Sequence, residues 1–365
     1  MALSTRGYRI AMVAPGERFS DYEERLGDIC IFRIKSLPLG NGHWRMATLA
    51  SLSVERILES FRPDLVVISL PFLLNRTVAS EAGRRSIPRV GILGTMPEWL
   101  LYNLGFLRPL GEMFYCKLWD IIADFYNQCD YVVTPSHTAL AMVREHGLNR
   151  PAEIISNGVE LDKFYPRPRD EELAHRLRLP SLPSVLYTGR LDAEKRMDIW
   201  IKAIPHVLKQ MEAHFIIGGG GSEHDKLVDL VGQLGMASHV TFTGFLEAAE
   251  YQRLYSLADV FAIASPSELQ SIVTLEAAAS GLPIVAVNAG ALPELVIAGR
   301  NGFLFPQEDS AAMAAAIVRI LKDPELATRM GAESRGIAIQ HDFTRSVQQY
   351  ERLYKALIGG RTPVA

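Results

Sequence analysis

Cysteine is scarce. Cys30, Cys116 and Cys129 are the only three in 365 residues, an odd number with no C-x-x-C pair. That excludes a disulfide framework and a thiolate zinc site, and makes a reducing cytosol the simplest setting. Charge of one sign is lacking too: the formal net charge is -3 and no Lys/Arg run occurs, which excludes nucleic acid as the main partner. No window is apolar enough over 18 residues to span a membrane as a helix. The opening M-A-L-S-T-R-G-Y-R-I-A-M-V-A-P-G-E-R-F holds too short an apolar run for a secretory leader. No repeat of solenoid period stands out. The run G-G-G-G-S-E at 218–223 lacks the third glycine of a dinucleotide fingerprint and the acid expected about 20 residues later, which sets aside a nicotinamide oxidoreductase.

What is present is an ordinary globular composition, 48% hydrophobic and 22% charged, in a length that favours two domains. Apolar strand-like runs at 8–14, 29–34, 65–70, 89–93 and 131–134 alternate with helical spacing at 49–61, 78–85 and 138–146, the last with Ser136 as N-cap. The pattern resumes more cleanly after 183, with strands expected at 184–188, 213–217, 240–242, 260–263, 284–287 and 303–305 and a closing amphipathic helix at 344–358. Between the halves, 157–183 carries a turn at Asn157-Gly158-Val159 and four prolines among charges, and reads as a linker. Such alternation implies an α/β fold with mainly parallel sheets covered on both faces. Two doubly wound halves bind ligands outside the carboxyl ends of their strands, so chemistry is expected on the loops after the second-half strands.

Those loops hold the candidates. Arg190 and Lys195, in T-G-R-L-D-A-E-K-R, could grip a diphosphate and stabilise its charge as it leaves; a solvated basic turn is the plainer alternative. Gly218 to Gly221 could admit a phosphate close to the backbone or form a tight strand–helix turn. In E-L-Q-S-I-V-T-L-E, Glu268 and Glu276 flank a short apolar run that opens a helix ended by Gly281 and Pro283. The helix start is a natural phosphate seat. An acid before it can touch a polyol, and an acid within it can hold a ribose. Acids decorating a helix start purely for stability are the competing explanation.

This combination resembles the signature of retaining family-4 glycosyltransferases of GT-B fold: an acid, seven residues, a second acid, then a small-residue helix ending S-G-x-P, with Arg190 and Lys195 upstream. Asn157-Gly158-Val159 with Asp162 and Phe164-Tyr165-Pro166, the loop Ala289-Gly290-Ala291-Leu292-Pro293-Glu294, and the closing helix with Phe343, Tyr350 and Tyr354 are similar to further motifs of that family. The resemblance covers residues 8–358. It implies two Rossmann-like doubly wound domains facing across a cleft: a shortened acceptor-side domain at 1–160, a nucleotide-sugar domain at 161–342, and a helix at 343–358 crossing back. It implies that Arg190, Lys195 and Glu268 act catalytically, Arg190 and Lys195 on the donor diphosphate and Glu268 on hydroxyls of the transferred sugar. Glu276 would hold the nucleotide ribose. Gly189, Gly219, Gln270, Ser271, Ile272 and Val273 would complete the donor site, with Gly244, Phe245 and Leu246 beside the base. No D-x-D occurs, which fits a site with no metal and no cofactor, a nucleoside diphosphate sugar serving as co-substrate.

Within that family the first half is similar to transferases that glycosylate lipids, through P-F-L-L-N-R-T-V-A, I-P-R-V-G-I-L-G-T-M-P-E-W and F-Y-N-Q-C-D-Y-V-V-T-P-S. The implied acceptor is a glycerolipid or inositol lipid, and the implied location the cytoplasm at the inner face of the membrane. The stretch 99–117, with Trp99, Leu100, Tyr102, Phe106, Arg108 and Lys117, is either an interfacial segment or an ordinary buried helix. Two departures stand out. Gly94 occupies the position where relatives place a His, with His43 and His137 the nearest substitutes in sequence. Y-R-I-A-M-V-A-P matches the family's second strand, so a first strand, Gly-rich loop and helix are expected to be missing from a truncated or shortened chain. The alternative expectation is therefore a non-catalytic nucleotide-sugar-binding protein or partner subunit. A sugar-nucleotide epimerase shares the fold class but finds no catalytic acid and His set.

Overall fold

The computed structural model describes residues 2–39, 44–48, 50–97 and 115–360. Residues 99–108, and with them most of the expected membrane-interface stretch, lie outside the described residues, as does His43.

The second half is one six-stranded sheet. Its strands are β10 (Ser184–Thr188), β11 (His214–Gly218), β12 (Val240–Gly244), β13 (Val260–Ile263), β14 (Ile284–Val287) and β15 (Gly302–Phe305), in the order β12-β11-β10-β13-β14-β15 and all parallel. Strands β10, β11, β13 and β14 are buried at every position, as expected for a parallel sheet with helices on both faces. The order reverses direction between β10 and β13, so the carboxyl ends of these two strands bound the crevice where such sheets take ligands. Thr188, Gly189 and Arg190 follow β10, and the loop leading to Glu268 follows β13.

The first half divides its strands differently. β1 (Ala11–Pro15), β3 (Ile29–Ile34) and β2 (Tyr22–Leu26) make one sheet, with β1 and β3 parallel and β2 antiparallel to β3. β4 (Ser36–Leu39) and β5 (Trp44–Ala47) form a hairpin. β6 (Val66–Ile68), β7 (Arg89–Ile92), β8 (Tyr131–Thr134) and β9 (Ala152–Ile154) form a parallel four-stranded sheet. Where the second half joins its two arms through a central pair, β10 and β13, the described strands of the first half leave β1 and β6 each at a sheet edge. Met12 and Val67 on these edges are about half exposed, in contrast to the covered strands of the second half.

The helices start where local chemistry dictates. Ser136 Oγ accepts from Ala139 N at the head of His137–Glu145, and Asp309 and Asp323 cap Ser310–Leu321 and Pro324–Gln340 in the same way. The expected linker contains a further short helix, Glu171–Arg176, capped by Asp170. Gly158 sits at φ +79 with its Cα hydrogen side only 2.6 Å, at an added Cβ, from the Phe343 backbone. Only glycine fits there, and Val159 exchanges backbone bonds with His341 and Phe343. The closing helix Phe343–Ile358 then packs Leu353 into a first-half cluster with Val90, Tyr131, Val133 and Ile155.

Candidate functional site

The helix Ile272–Ala279 points its start into the β10/β13 crevice. Ser271 caps it, accepting from Thr274 N at 3.4 Å and from Thr274 Oγ1 at 2.8 Å. The first-turn N–H groups of a helix have no partner within the helix, so Ile272 and Val273 present donors and the positive end of the dipole to the crevice. Ile272 is half exposed and Val273 packs partly on the core.

Around this seat the structure assembles the expected ions. Lys195 Nζ donates to Glu268 Oε1 at 2.8 Å, with both side chains largely buried. The pair spans the loops that follow β10 and β13, so it closes across the switch point. Arg190 is half exposed and held by two acids: it meets Asp192 through Nη1 and Glu194 at 2.7 Å through Nη2. Glu194 is buried. Asp192 also accepts from Ser222 N and Oγ, each at 2.9 Å, tying the Arg190 loop to the glycine run. Tyr187 donates to the Arg190 carbonyl at 3.0 Å. Burial and then the nearby Glu268 and Glu194 carboxylates push its phenol well above the usual range.

The glycines are needed for close approach rather than for a dinucleotide turn. Gly219, at φ +116, would place a Cβ 2.1 Å from the Gly189 carbonyl, and Gly221 would place one 2.6 Å from the Leu191 backbone. The glycine run thus lies directly on the Arg190 loop, with Leu191 N bonded to Gly220 O. Gly244 takes φ +65 and its carbonyl accepts from Gly219 N at 3.0 Å. Phe245 stands 85% exposed at the same edge, its ring against Gly220, while Leu246 packs partly on the core.

Glu276 sits one turn inside the helix. Tyr251 and Tyr255 both donate to its Oε2, at 2.6 and 2.7 Å. Burial raises the Glu276 carboxyl above its ordinary range and the two phenols pull it back. Burial, and then the same carboxylate, hold the Tyr255 phenol well above its ordinary range.

Gln270 departs from expectation. Its side chain is buried and turned away from the helix start: Oε1 accepts from Asn157 N at 2.7 Å and from Ser156 Oγ at 3.2 Å. The reason is the junction between the halves. Leu269 inserts against the first-half core, its carbonyl accepts from Ser136 Oγ at 2.5 Å, and Gln270 satisfies the linker backbone beside it. Glu294 completes this junction. Its two oxygens accept from His137 N at 3.0 Å and Thr138 N at 2.7 Å. Gly290, at φ +54, lets its loop run under the Glu268 loop, and Ala291 N donates to Glu268 O at 2.9 Å. His137 is thereby placed at the junction through its backbone. Among the described residues, a Cβ at Gly94 would meet only Ser69 O, at 3.9 Å.

The residues that sequence reasoning missed are the partners: Asp192, Glu194, Tyr251 and Tyr255. The two tyrosines lie four apart on Ala248–Leu254 and its extension, one face of a helix, which was the available signal. A cavity of about 400 Å³ opens beside the site, lined by Asp192, Arg196, Asp198, Glu223 and Glu308 among others, with Arg196 paired to Asp198 and Glu308. Among the described residues no cluster of His, Cys, Asp and Glu could hold a metal ion, and no helix is long and apolar enough to cross a membrane.

Comparison with known proteins agrees with this architecture. Residues 1–163 match the family model Glycosyltransferase Family 4, and residues 182–323 match Glycosyl transferases group 1. A GDP-mannose-dependent alpha-(1-6)-phosphatidylinositol monomannoside mannosyltransferase of Mycobacterium tuberculosis is 34% identical over 209 residues, 55% of this chain and 54% of that protein. A sulfoquinovosyl transferase of Arabidopsis thaliana is 29% identical over 293 residues, 78% of this chain and 54% of that protein. The chain thus spans about half the length of these curated relatives. In fold it superposes on sucrose-phosphate synthase from Thermosynechococcus elongatus with a TM-score of 0.80 at 22% identity, covering 98% of this chain and 91% of that one. With both halves matched and the two Rossmann-like units in place, the chain belongs to the group 1, family 4 glycosyltransferases of GT-B fold.

Proposed function

We propose that this protein transfers a hexose from a UDP- or GDP-linked donor to an acceptor hydroxyl with retention of anomeric configuration. The observation that carries the proposal is the Lys195–Glu268 pair, 2.8 Å long and largely buried, set at the start of Ile272–Ala279. It places one cation and one polyol-binding acid together where a helix dipole already favours anions. Arg190 and Lys195 take the donor diphosphate, with the N–H groups of Ile272 and Val273. Their charge stabilises the leaving group as the glycosidic bond breaks. Glu268 receives hydroxyls of the transferred sugar, Glu276 receives the ribose, and the turn at Gly244, Phe245 and Leu246 lies beside the base. Gln270 serves the donor site indirectly, by fixing the loop that carries Glu268. A phosphate oxygen of the donor takes the acceptor proton on the same face from which the diphosphate departs. The cationic charge this step needs comes from side chains and the helix, with no cofactor.

For the acceptor we propose a glycerolipid or inositol lipid, met at the inner face of a membrane. The support is the likeness to relatives named for phosphatidylinositol monomannoside mannosylation and sulfoquinovosyl transfer.

The test is nucleotide release from UDP- and GDP-sugars, with and without diacylglycerol and phosphatidylinositol acceptors. Acceptor-dependent release by the parent, reduced at least a hundredfold in Arg190→Ala and Glu268→Ala, is the expected result. Equal activity of these variants and the parent would remove the assigned roles. Tight UDP or GDP binding without turnover on any acceptor would favour a nucleotide-sugar-binding protein instead.

A further inference from the structure

The second-half crevice contains a chain of hydroxyls gathered on one carboxylate. Tyr251 and Tyr255 each own one hydroxyl proton, and with Glu276 as a carboxylate both protons go to its Oε2. Their oxygens lie 2.9 Å apart, a contact for which neither phenol then has a proton left. Thr188 Oγ1 lies 2.8 Å from Tyr255 Oη and supplies the proton between those two atoms, because the Tyr255 proton is already committed. Thr188 and Tyr255 are fully buried, and Thr188 is the last residue of β10, directly before Gly189 and Arg190. Phe164 packs edge-on against both tyrosine rings. The carboxylate is thus fixed by a chain running Thr188–Tyr255–Glu276–Tyr251, while Oε1 forms no hydrogen bond with a described residue.

We infer that Thr188, Tyr251 and Tyr255 are positioning residues that make Glu276 a one-sided acceptor, with Oε1 alone aimed at the vicinal diol of the donor ribose. The inference rests on the proposed nucleotide-sugar reading. Its physical content is selectivity. A carboxylate free to rotate accepts from any nearby donor, including water, and pays to be ordered when a ligand arrives. One pinned by two phenols is ordered beforehand, so a missing ribose hydroxyl is felt in full. A site built to bond a hydroxyl rejects the analogue that lacks it. The three residues therefore set the preference for ribo- over 2′-deoxyribonucleotide donors without touching the reacting carbon.

The experiment is calorimetric titration of the full chain with UDP, GDP and their 2′-deoxy counterparts. The nucleotide that the parent binds more tightly is then carried through Tyr251→Phe, Tyr255→Phe and Thr188→Val. The parent should prefer the ribose form about tenfold, the worth of one good hydrogen bond. Tyr251→Phe and Tyr255→Phe should each bring that ratio to threefold or less, chiefly by weakening the ribose form, and together should bring it near one. Thr188→Val leaves both phenols bonded to Glu276 and should lower the ratio least. Ribose and deoxyribose forms weakened in parallel, with the ratio kept, would reduce the tyrosines to packing groups and overturn the inference while leaving Glu276 as the ribose acceptor. A parent that binds both forms equally would overturn the ribose role of Glu276 itself.

Discussion

Glu294→Gln should loosen the two halves of the molecule from one another. At the start of the helix His137–Glu145 the N–H groups of His137, Thr138 and Ala139 lack intrahelical partners. The Ser136 side chain serves Ala139 N, while its carbonyl takes the first regular helical bond, from Leu140 N. Glu294, from the other half, serves the remaining two at His137 and Thr138. The substitution keeps one amide oxygen, so it gives up one charge-assisted bond of about 1.5–3 kcal/mol and the dipole term of about 0.3–1 kcal/mol. Glu294 is half-buried, and exposure trims the sum to about 2 kcal/mol, close to a thirtyfold change in the equilibrium between closed and open arrangements. Because the bond joins the halves, the loss falls on their association rather than on the stability of either one. Small-angle scattering should give a larger radius of gyration for Glu294→Gln, and proteolysis within 157–183 should accelerate. Leu269 and Gln270 still bridge the junction, so the expected outcome is a shifted population rather than full separation. Rising salt should move the parent toward the variant. Identical scattering and cleavage rates for parent and variant across that salt range would refute the argument that this carboxylate holds the halves together.

Three further outcomes rest on single residues. Gly219→Ala forces a Cβ to within 2.1 Å of Gly189 O at φ +116; backbone strain of about 1–3 kcal/mol plus the clash should lower the melting temperature and abolish nucleotide binding by calorimetry, and unchanged binding would contradict the close approach of the two loops. His214 is buried with Nδ1 unpartnered, and desolvation brings its imidazole down from 6.5 to about 4. A depressed folded-state pKa means that stability is intact above pH 6.5 and falls as pH drops toward 4, by up to about 3 kcal/mol; urea unfolding should show this slope in the parent and a flatter one in His214→Gln. Burial pushes the Cys129 thiol to about 12 and Cys116 is exposed, so a thiol reagent at pH 8 should label Cys116 promptly and Cys129 only on unfolding.

The second-half strands were legible because a strand buried on both faces reads as an unbroken apolar run, as in V-L-Y at 185–187 or I-V-A-V at 284–287. The first half gave less away. Tyr22–Leu26 reads Y-E-E-R-L, and as an edge strand it keeps its charges in solvent, so it carries no core signal. Ser310–Leu321 and Pro324–Gln340 were overlooked although Asp309, Asp323 and Pro324 announce them; alanine-rich packing blurs the helical period. Helix limits moved by a few residues, most in Leu73–Arg84, expected only from 78. Its first turn exposes Leu73, which hides the amphipathic pattern.

The site was legible as residues and illegible as pairings. Motif spacing singles out Arg190, Lys195 and Glu268 on the loops after β10 and β13 and Glu276 in the helix that follows, but no spacing tells that each already has a partner of its own. Those partnerships decide how the site can work. Stripping one member from a buried ion pair costs about 3–5 kcal/mol because the other is left uncompensated, so Lys195 cannot leave Glu268 for a phosphate unless Glu268 is satisfied at the same moment. On the proposed function only a ligand carrying both an anionic diphosphate and a sugar hydroxyl meets that condition, the first for Lys195 and the second for Glu268. A bare diphosphate repairs one side of the pair and a free sugar the other. The pairing that hides the site in the sequence is thus what would make it answer to the intact sugar nucleotide rather than to either of its parts.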